Sequence, residues 1–297
     1  ANLCRASLSC ADLRNANLAG AILNQADLRG ARVEGANFDN AQLERADFRK
    51  ATIARMYKSD GWSVIGENQS FTSVSFQNCS LKGAKLNNAN LNDANFDGAL
   101  LTGASFKGAT LGNASFEGAV LTGVTLSDIC VPSERLKNCI HDPGPQTRAR
   151  LPQLITILDS AQTWTVTGGR QGCAGNLEGE DLRLLGNLLI NRKLTGINCG
   201  KTLAISADFS GSELQAAKFD GADLRGSSFV GANLRGATFR GANLAHANFS
   251  QANLLPLTLK SGDELPTILD GAILDQCNFD GAQRVKEKCR QQTVVFL

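Results

Sequence analysis

Histidine, tryptophan, tyrosine and methionine are scarce in this 297-residue chain, which has two, two, one and one of them respectively. Charge of one sign is also missing, because 30 Lys and Arg residues are balanced by 28 Asp and Glu residues. This balance argues against a nucleic-acid-binding protein, which needs a clustered basic surface, and against an acidic mimic of nucleic acid. No apolar run reaches the roughly 18 or more residues of a transmembrane helix.

No secretory signal sequence is visible either. Ala1-Asn2-Leu3 already has the pattern of the sequence that follows, so Ala1 is expected to be either a processed terminus or an arbitrary boundary. The nine cysteines are an odd number, which excludes complete internal pairing.

What the chain does have is a five-residue period. A large apolar residue recurs at every fifth position in three runs, Leu3 to Ile53, Phe71 to Leu126 and Phe209 to Leu254, followed by a short tail from Leu269 to Phe279. Two residues before each centre stands a position that is usually small, and it is Ala throughout the first run. The runs and the tail contain 36 repeats, and self-similarity of this extent predicts a repeat architecture.

The length of this period excludes ordinary helices, whose apolar pattern recurs every three to four positions, and ordinary strands, whose pattern recurs at every second position. The chain must instead turn regularly about an axis, with the large residue of each repeat pointing inward. Phe209, Phe229 and Phe249 recur at every fourth repeat. If one coil holds four repeats, these rings stack on one inner face, which adds about 0.5–1.5 kcal/mol per ring pair to the effect of burial.

The repeat unit, as in Ala16-Asn17-Leu18-Ala19-Gly20, resembles that of the pentapeptide-repeat protein family. The resemblance covers about 180 residues and implies an all-β solenoid, a right-handed quadrilateral β-helix with four repeats per coil. About nine or more coils are then expected, with a partly helical insert and a short C-terminal capping helix. The regular Ala-Asn/Asp-Leu/Phe pattern is most similar to cyanobacterial and plastid members of the family.

Interruptions of the period divide the chain into segments. Pentapeptide-repeat coils are predicted over 1–54, 71–128 and 189–279, the last with a bulge near 256–267. A loop insertion is predicted at 55–70, a partly helical insertion at 129–188 and a C-terminal cap at 280–297. A cap would cover the last coil, whose open edge otherwise favours aggregation.

The loop insertion at 55–70 concentrates rare residues. It contains the chain's single Tyr and Met and one of its two Trp residues, beside basic side chains. Such a composition is typical of interaction hot spots. The alternative is that these aromatic residues pack the loop onto the coil. The predicted partner-binding residues are Arg55, Tyr57, Lys58 and Trp62, together with Trp164 and Arg170 in the second insertion.

The second insertion contains apolar residues at helical spacing, which predict an amphipathic helix. They are Leu151, Leu154, Ile155, Leu158 and Ala161. We expect this apolar face to pack on the solenoid; the alternative is that it binds a partner. A shorter helix is predicted near 131–140 with Ser133 as N-cap. The glycine-rich stretch 168–175 lacks the Lys-Ser/Thr ending of a phosphate-binding loop and is interpreted as a flexible loop.

The cysteines of the insertion leave two alternatives open. Cys130, Cys139 and Cys173 could supply a disulfide, which implies an oxidising compartment, or remain reduced. His141 lies beside Cys139, but the spacing lacks the Cys-x-x-Cys pair of a zinc site. With two histidines in the chain, no nucleophile–base pair is evident. We therefore expect no catalytic residue, no metal and no cofactor.

These observations predict a non-catalytic scaffold or protein-interaction module. The resemblance to cyanobacterial and plastid members favours a subunit or assembly factor of a photosynthetic membrane complex, in the thylakoid lumen or stroma. A cytoplasmic location is the alternative. The competing function is a topoisomerase-protecting mimic of nucleic acid, as some family members are, but the balanced charge disfavours it. The expected partner is a protein rather than a nucleic acid.

Overall fold

In a computed structural model, the described residues are 1–52 and 73–284. The chain divides into two compact units, Ala1–Asp142 (unit 1) and Pro143–Leu297 (unit 2). In both units the backbone pairs through single parallel β-bridges between successive coils. Asn2 pairs with Ile22 and Ile22 with Gln42, so one coil contains four of the five-residue repeats.

Each repeat assigns the same roles to its five residues. The repeat centred on Phe48 is an example: the Phe48 ring is fully buried, whereas Asp47 and Arg49 lie on the outside. Asp47 Oδ1 accepts a hydrogen bond from the backbone N–H of Arg49 at 3.1 Å, which satisfies a turn amide. Lys50 has a φ of +60°, and the N–H of Ala51 donates to the Phe48 carbonyl at 2.9 Å. A positive φ there is typical of a type II turn, which favours Gly and Asn.

Phenylalanine rings form stacks at the centre of both units, as their recurrence at every fourth repeat predicts. In unit 2, Phe209, Phe229 and Phe249 are nearly parallel, with centroid distances of 5.1 and 4.9 Å. Phe219 meets Phe229 edge to face at 5.6 Å, so rings from opposite sides of the coil interlock. Each of these side chains is buried.

The interruption between the first two runs does not disturb the pairing of the coils. Asn37 pairs with Ser75, and Thr52 pairs with Asn90, across the interruption. Bridge partners that both lie before it, or both lie after it within unit 1, are separated in the sequence by the length of four repeats. The interruption therefore lengthens the chain between paired positions without moving any residue out of its place in the coil. The same lattice of bridges then resumes.

Unit 1 extends further than the sequence predicts. Val120 pairs with Ile140, so the last coil includes part of the predicted insertion. Short 3-10 helices at Leu126–Asp128 and Ser133–Leu136 replace the predicted helix near 131–140. Ser133 is not its N-cap, because Pro132 occupies that position and no side chain caps the turn. The chain that leaves Val120 must return to pair with it at Ile140, and this short path leaves no room for a longer helix.

Unit 2 begins with helix α1, Pro145–Val166. Leu154, Leu158 and Ala161 are buried in the same core cluster as the first coil residues of unit 2, so the apolar side of α1 is docked. The first bridge joins Asn176 to Asn198, which places coil structure ahead of residue 189. A 3-10 segment, Arg183–Leu189, lies within this first coil. No helix within the described ranges has the length and hydropathy needed to cross a membrane.

The glycine-rich loop after α1 packs closely on the helix, in contrast to the flexible loop that was expected. A Cβ atom at Gly172 would lie 2.3 Å from the carbonyl oxygen of Ser160. The N–H of Cys173 donates to Ser160 Oγ at 3.1 Å, and the N–H of Gln171 donates to Thr167 Oγ1 at 3.0 Å. Glycine at 172 is therefore required by close approach.

A β-hairpin forms the interruption near 256–267. Strand β1, Leu257–Thr258, pairs antiparallel with β2, Glu264–Leu265. Thr238 pairs with Ile268 on the far side of the hairpin, so the coil continues beyond it.

The last coil also extends past residue 279, where the cap was predicted to begin. Gln283 pairs with Asn253, and its neighbours have the turn pattern of the coil. The remainder of the predicted cap, 285–297, lies outside the described residues.

Candidate interaction surfaces

Outward side chains of unit 1 stand in four columns, two of which lie on opposite sides of one core. The first of these two consists of Ser7, Asp27, Asp47, Lys85 and Ser105, and the second of Asn17, Asn37, Ser75, Asn95 and Ser115. Phe48 lies behind the first column and Phe38 behind the second. Their rings meet edge to face with centroids 5.9 Å apart. The two columns therefore form opposite faces of the coil.

Cations collect on the first of these faces. The basic face consists of the first column's strand and turn residues that carry positive charge, namely Arg29, Arg49, Lys50, Lys85 and Lys107. All five side chains are exposed. Two carboxylates, Asp27 and Asp47, lie among them.

Both carboxylates of the basic face are paired with arginine. Arg29 Nη2 lies 2.6 Å from Asp27 Oδ2, and Arg49 Nη2 lies 2.6 Å from Asp47 Oδ2. The hydrogen bonds from Arg29 lower the pKa of Asp27 to about 2. Burial acts to raise the pKa of Asp47, but hydrogen bonds from Arg49 and the charge of Lys85 hold that pKa below its ordinary value. The carboxylates thus remain charged and neutralise the two arginines.

The opposite face has the opposite sign. The acidic face consists of Asp39, Asp97 and Glu117, and the strand and turn positions of the five bridged repeats of its column carry no Lys or Arg, although Arg135 and Lys137 follow in the next coil. Ser115 Oγ donates to Asp97 Oδ1 at 2.5 Å, and Asn138 Nδ2 donates to Glu117 Oε1 at 2.9 Å. Neutral hydrogen-bond donors orient these carboxylates without cancelling their charge.

The two faces are not apparent from the composition, because the chain-wide charge is nearly balanced. The segregation becomes visible when every fourth repeat is aligned and the extra residues between Thr52 and Asn90 are left out of the count. The spacing of 18 residues between the centres Ile53 and Phe71 is not a multiple of five, which hides the columns in the sequence.

The predicted partner-binding residues fall into two groups. Arg55, Tyr57, Lys58 and Trp62 lie outside the described residues. Trp164 and Arg170 lie at the C-terminal end of α1 and in the loop that follows.

This end of α1 combines a fixed backbone with an exposed apolar side chain. The N–H of Gly169 donates to the Trp164 carbonyl at 2.8 Å, which holds the loop against the helix. Trp164 is half-buried and Arg170 is exposed. Val166, which sequence reasoning did not single out, is 64% exposed. Its position off the docked apolar side of the helix was the available signal.

The three cysteines of the predicted disulfide are free thiols in the structure. Cys130 and Cys173 are exposed, whereas Cys139 is buried in the last coil of unit 1. Cys139 Sγ donates to the Phe116 carbonyl at 3.0 Å, and burial raises the pKa of this thiol to about 11. The side chain points into the core because it occupies the inward small position of its repeat.

The sequence matches no curated protein. Among solved structures it is similar to Rfr23, a pentapeptide repeat protein of the cyanobacterium Cyanothece 51142, with 22% identity, a TM-score of 0.28 and coverage of 40% of this chain and 66% of Rfr23. HetL, a pentapeptide repeat protein involved in heterocyst differentiation regulation in Nostoc sp. strain PCC 7120, is 23% identical over 93% of this chain and 88% of HetL, with a TM-score of 0.20. A pentapeptide repeat protein from the Arabidopsis thaliana thylakoid lumen is 24% identical over 42% of this chain and 67% of its own length, with a TM-score of 0.17.

Two family models match the sequence itself. The model for pentapeptide repeats matches in eight copies over residues 1–35, 26–55 and 217–254, and the model for a pentapeptide repeat region matches 69–141. Together these matches cover more than half of the chain. They coincide with coils in both units whose inward and outward positions alternate as described. The chain belongs to the pentapeptide-repeat family, whose members fold as right-handed β-helices.

Proposed function

We propose that this protein is a non-catalytic scaffold that binds a protein partner through its outer surface. Proteins of this family are generally structural or interaction proteins. The observation that carries the proposal is the end of α1, where Val166 is exposed, Trp164 is half-buried and the loop that follows carries exposed Arg170. Aromatic and arginine side chains on a rigid support are enriched at interaction hot spots.

The interior of the coils supports the non-catalytic part of this proposal. Cys79, Cys199 and Cys277 occupy inward positions, and burial raises the pKa of each thiol, to about 12 for the last two. A thiol acts as a nucleophile in its ionised form, so these three are chemically inert at neutral pH. They serve as small apolar side chains that fill space.

The outer surface supports a binding role because ion pairs and hydrogen bonds already order many of its side chains in the free protein. Arg49, for example, donates from both Nε and Nη2 to Asp47, at 2.9 and 2.6 Å. Side chains that are already ordered lose less conformational entropy when they are covered.

The partner in our proposal is a photosynthetic membrane complex, of which the chain is a subunit or assembly factor in the thylakoid lumen or stroma. The support is the resemblance of the repeat pattern to cyanobacterial and plastid sequences. A nucleic-acid mimic that protects topoisomerase is disfavoured, because a mimic needs rows of carboxylates and the basic face carries five cations against two carboxylates.

The test is quantitative partner binding with surface variants of the full chain. The protein is cross-linked in detergent-solubilised thylakoid extract, partners are identified by mass spectrometry, and the affinity of the leading partner is measured. Trp164→Ala and Val166→Ser are expected to weaken binding at least tenfold. Thr156→Ala, at an exposed position on the same helix, is the matched control and is expected to bind like the wild type.

Variants of the first insertion form a separate arm. Tyr57→Ala and Trp62→Ala test whether this insertion supplies a second contact, as its composition predicts. Undiminished affinity in Trp164→Ala and Val166→Ser would remove the α1 contact from the proposal. Failure of the wild-type chain to enrich any partner over an unrelated β-solenoid would remove the scaffold function itself.

A further inference from the structure

The basic face contains more positive charge than its own carboxylates can neutralise. Asp27 and Asp47 are paired with Arg29 and Arg49. Lys50, Lys85 and Lys107 take part in no ion pair within residues 1–52 and 73–284. Among the described residues, three charges therefore remain uncompensated on one side of unit 1.

These three lysines lie on three successive coils, at different positions of the repeat. The backbone of Asp47 forms a β-bridge with that of Lys85, which forms the next bridge with Ser105. Lys50 is close to Asp47 in the chain and Lys107 is close to Ser105, so the lysines belong to three successive coils. Neighbouring coils are separated by the strand spacing, about 4.8 Å. Together with Arg29 and Arg49, the three charges are spread over four successive coils on one side of unit 1.

The acidic face does not cancel these charges. Its carboxylates project from the other side of a core that is already two phenylalanine rings wide, as the 5.9 Å separation of Phe38 and Phe48 shows. With side chains extending from both faces, the opposite charges lie well beyond the screening length of about 8 Å at physiological ionic strength. A partner that touches the basic face meets a positive surface.

The shape and composition of the basic face limit the kinds of anion that it fits. Among the described residues its aromatic side chains, Phe48 and Phe106, are completely buried, so there they offer no ring on which bases of a single-stranded nucleic acid could stack. Its side chains rise from level rows of bridges, without a helix or ribbon that could enter the groove of a duplex. A group of cations on a level surface matches an anion that is itself extended and level.

We propose that the basic face binds the anionic headgroups of a lipid bilayer. Unit 1 would then lie with Lys50, Lys85 and Lys107 against the headgroups and with its acidic face directed away from them. Repulsion of the acidic face by the same headgroups enforces this single orientation. The proposal is independent of any protein partner, since it requires only the lipid surface.

The experiment is co-sedimentation of the full chain with vesicles of phosphatidylcholine alone or of phosphatidylcholine and phosphatidylglycerol mixed two to one. Each lysine near an anionic surface contributes roughly fivefold to the partition coefficient. The wild type is expected to prefer anionic vesicles by on the order of 100-fold at low salt, and to lose this preference in high salt. The triple variant Lys50→Glu, Lys85→Glu, Lys107→Glu and the corresponding triple Gln variant are both expected to show no preference, because Asp27 and Asp47 neutralise the two arginines that remain.

The matched control carries the same change of net charge at three other exposed lysines, Lys137→Glu, Lys218→Glu and Lys260→Glu. It is expected to retain most of the preference. Circular dichroism and thermal unfolding establish that each variant is folded, and the Gln variant replaces the Glu variant if the latter is not. Equal loss in the control, or no preference of the wild type for anionic vesicles, would overturn the proposal. Tight binding to an acidic protein or to RNA without vesicle binding would do the same.

Discussion

Phe38 and Phe76 stack with their rings 11° from parallel and their centroids 5.2 Å apart, although residues 53–72 lie between them in the chain. The ring stack continues through Phe96 and Phe116 at 5.1 Å for each step. Four rings from four coils thus form one column behind the acidic face. The continuity of this column shows that the described coils on either side of the interruption share one ring stack.

Removal of a central ring should be costly. Phe96 contacts two stacked neighbours and Phe106, which it meets edge to face at 5.9 Å. Phe96→Ala is expected to lower the free energy of unfolding by about 3–5 kcal/mol, because a fully buried ring leaves a cavity. Urea denaturation followed by circular dichroism measures the change. Phe279→Ala is the control in the last coil, where the ring is partly exposed and a smaller loss is expected. Equal effects would contradict this account of the core.

Two turn glycines should respond differently to the same substitution. Gly98 and Gly103 both have a positive φ, so Ala is strained at either position by about 1 kcal/mol. A Cβ atom at Gly103 meets nothing within 4 Å, whereas at Gly98 it would lie 2.1 Å from Asn78 Oδ1. Gly98→Ala is therefore expected to destabilise more than Gly103→Ala in thermal unfolding. Adding Asn78→Gly should remove the difference, and a difference that persists would show that the contact is not its cause.

Alkaline pH should destabilise the coils through their buried thiols. Burial raises the pKa of Cys199 and Cys277 to about 12, above the value of ~8.5 for a thiol in an unfolded chain. The unfolded state then loses its thiol protons first. The contribution of the protonated thiols to the free energy of unfolding is fully present below pH ~8.5. Above that pH the free energy of unfolding falls by roughly 1.4 kcal/mol per thiol and pH unit, up to the folded pKa.

Urea unfolding between pH 8 and pH 10.5 measures this slope. Cys199→Ala is expected to unfold with a shallower pH dependence than the wild type, because one of the contributing thiols is gone. An identical slope in the two proteins would show that Cys199 does not contribute.

The carboxylates of the basic face should titrate at unusually low pH. Hydrogen bonds from Arg29 lower the pKa of Asp27 to about 2, so the benefit of this pair is present above pH ~3.9 and is lost as the pH falls through about 2. Carboxyl-detected NMR should give that low midpoint. In Arg29→Met the midpoint should rise towards ~3.9, whereas Arg14→Met, which removes the partner of Asp12, should leave Asp27 unchanged. Because the pair is exposed, its effect on stability should be small.

Much of the coil could be predicted from the sequence, because every repeat carries the same local information. The Asx residue before each centre accepts the N–H two residues later, as Asn37 does for Asp39, and this contact repeats wherever the pattern does. The recurrence of Phe229 and Phe249 at every fourth repeat likewise predicts their stack, which the structure confirms at 4.9 Å. The number of coils, about nine, stays a prediction.

The first coil of unit 2 escaped prediction in part because a charged residue stands at one of its small inward positions. Its centres are Leu177 and Leu182, but Glu180 stands where Ala is usual. Arg150 on α1 lies 2.8 Å from Glu180 and pairs with it. A charged residue is tolerated there because α1 supplies Arg150 as its ion-pair partner. That partner is 30 residues away in the chain, so the local sequence pattern does not predict the pair.

The β-hairpin Leu257–Thr258 and Glu264–Leu265 occupies a coil of unit 2 while Thr238 and Ile268 remain paired across it. A protein with this construction can exchange one recognition element for another of different length without redesigning its core. Natural diversification of binding specificity, or deliberate grafting of a foreign peptide, would need to match only the two ends of the inserted segment. In either case the coils would remain the same scaffold.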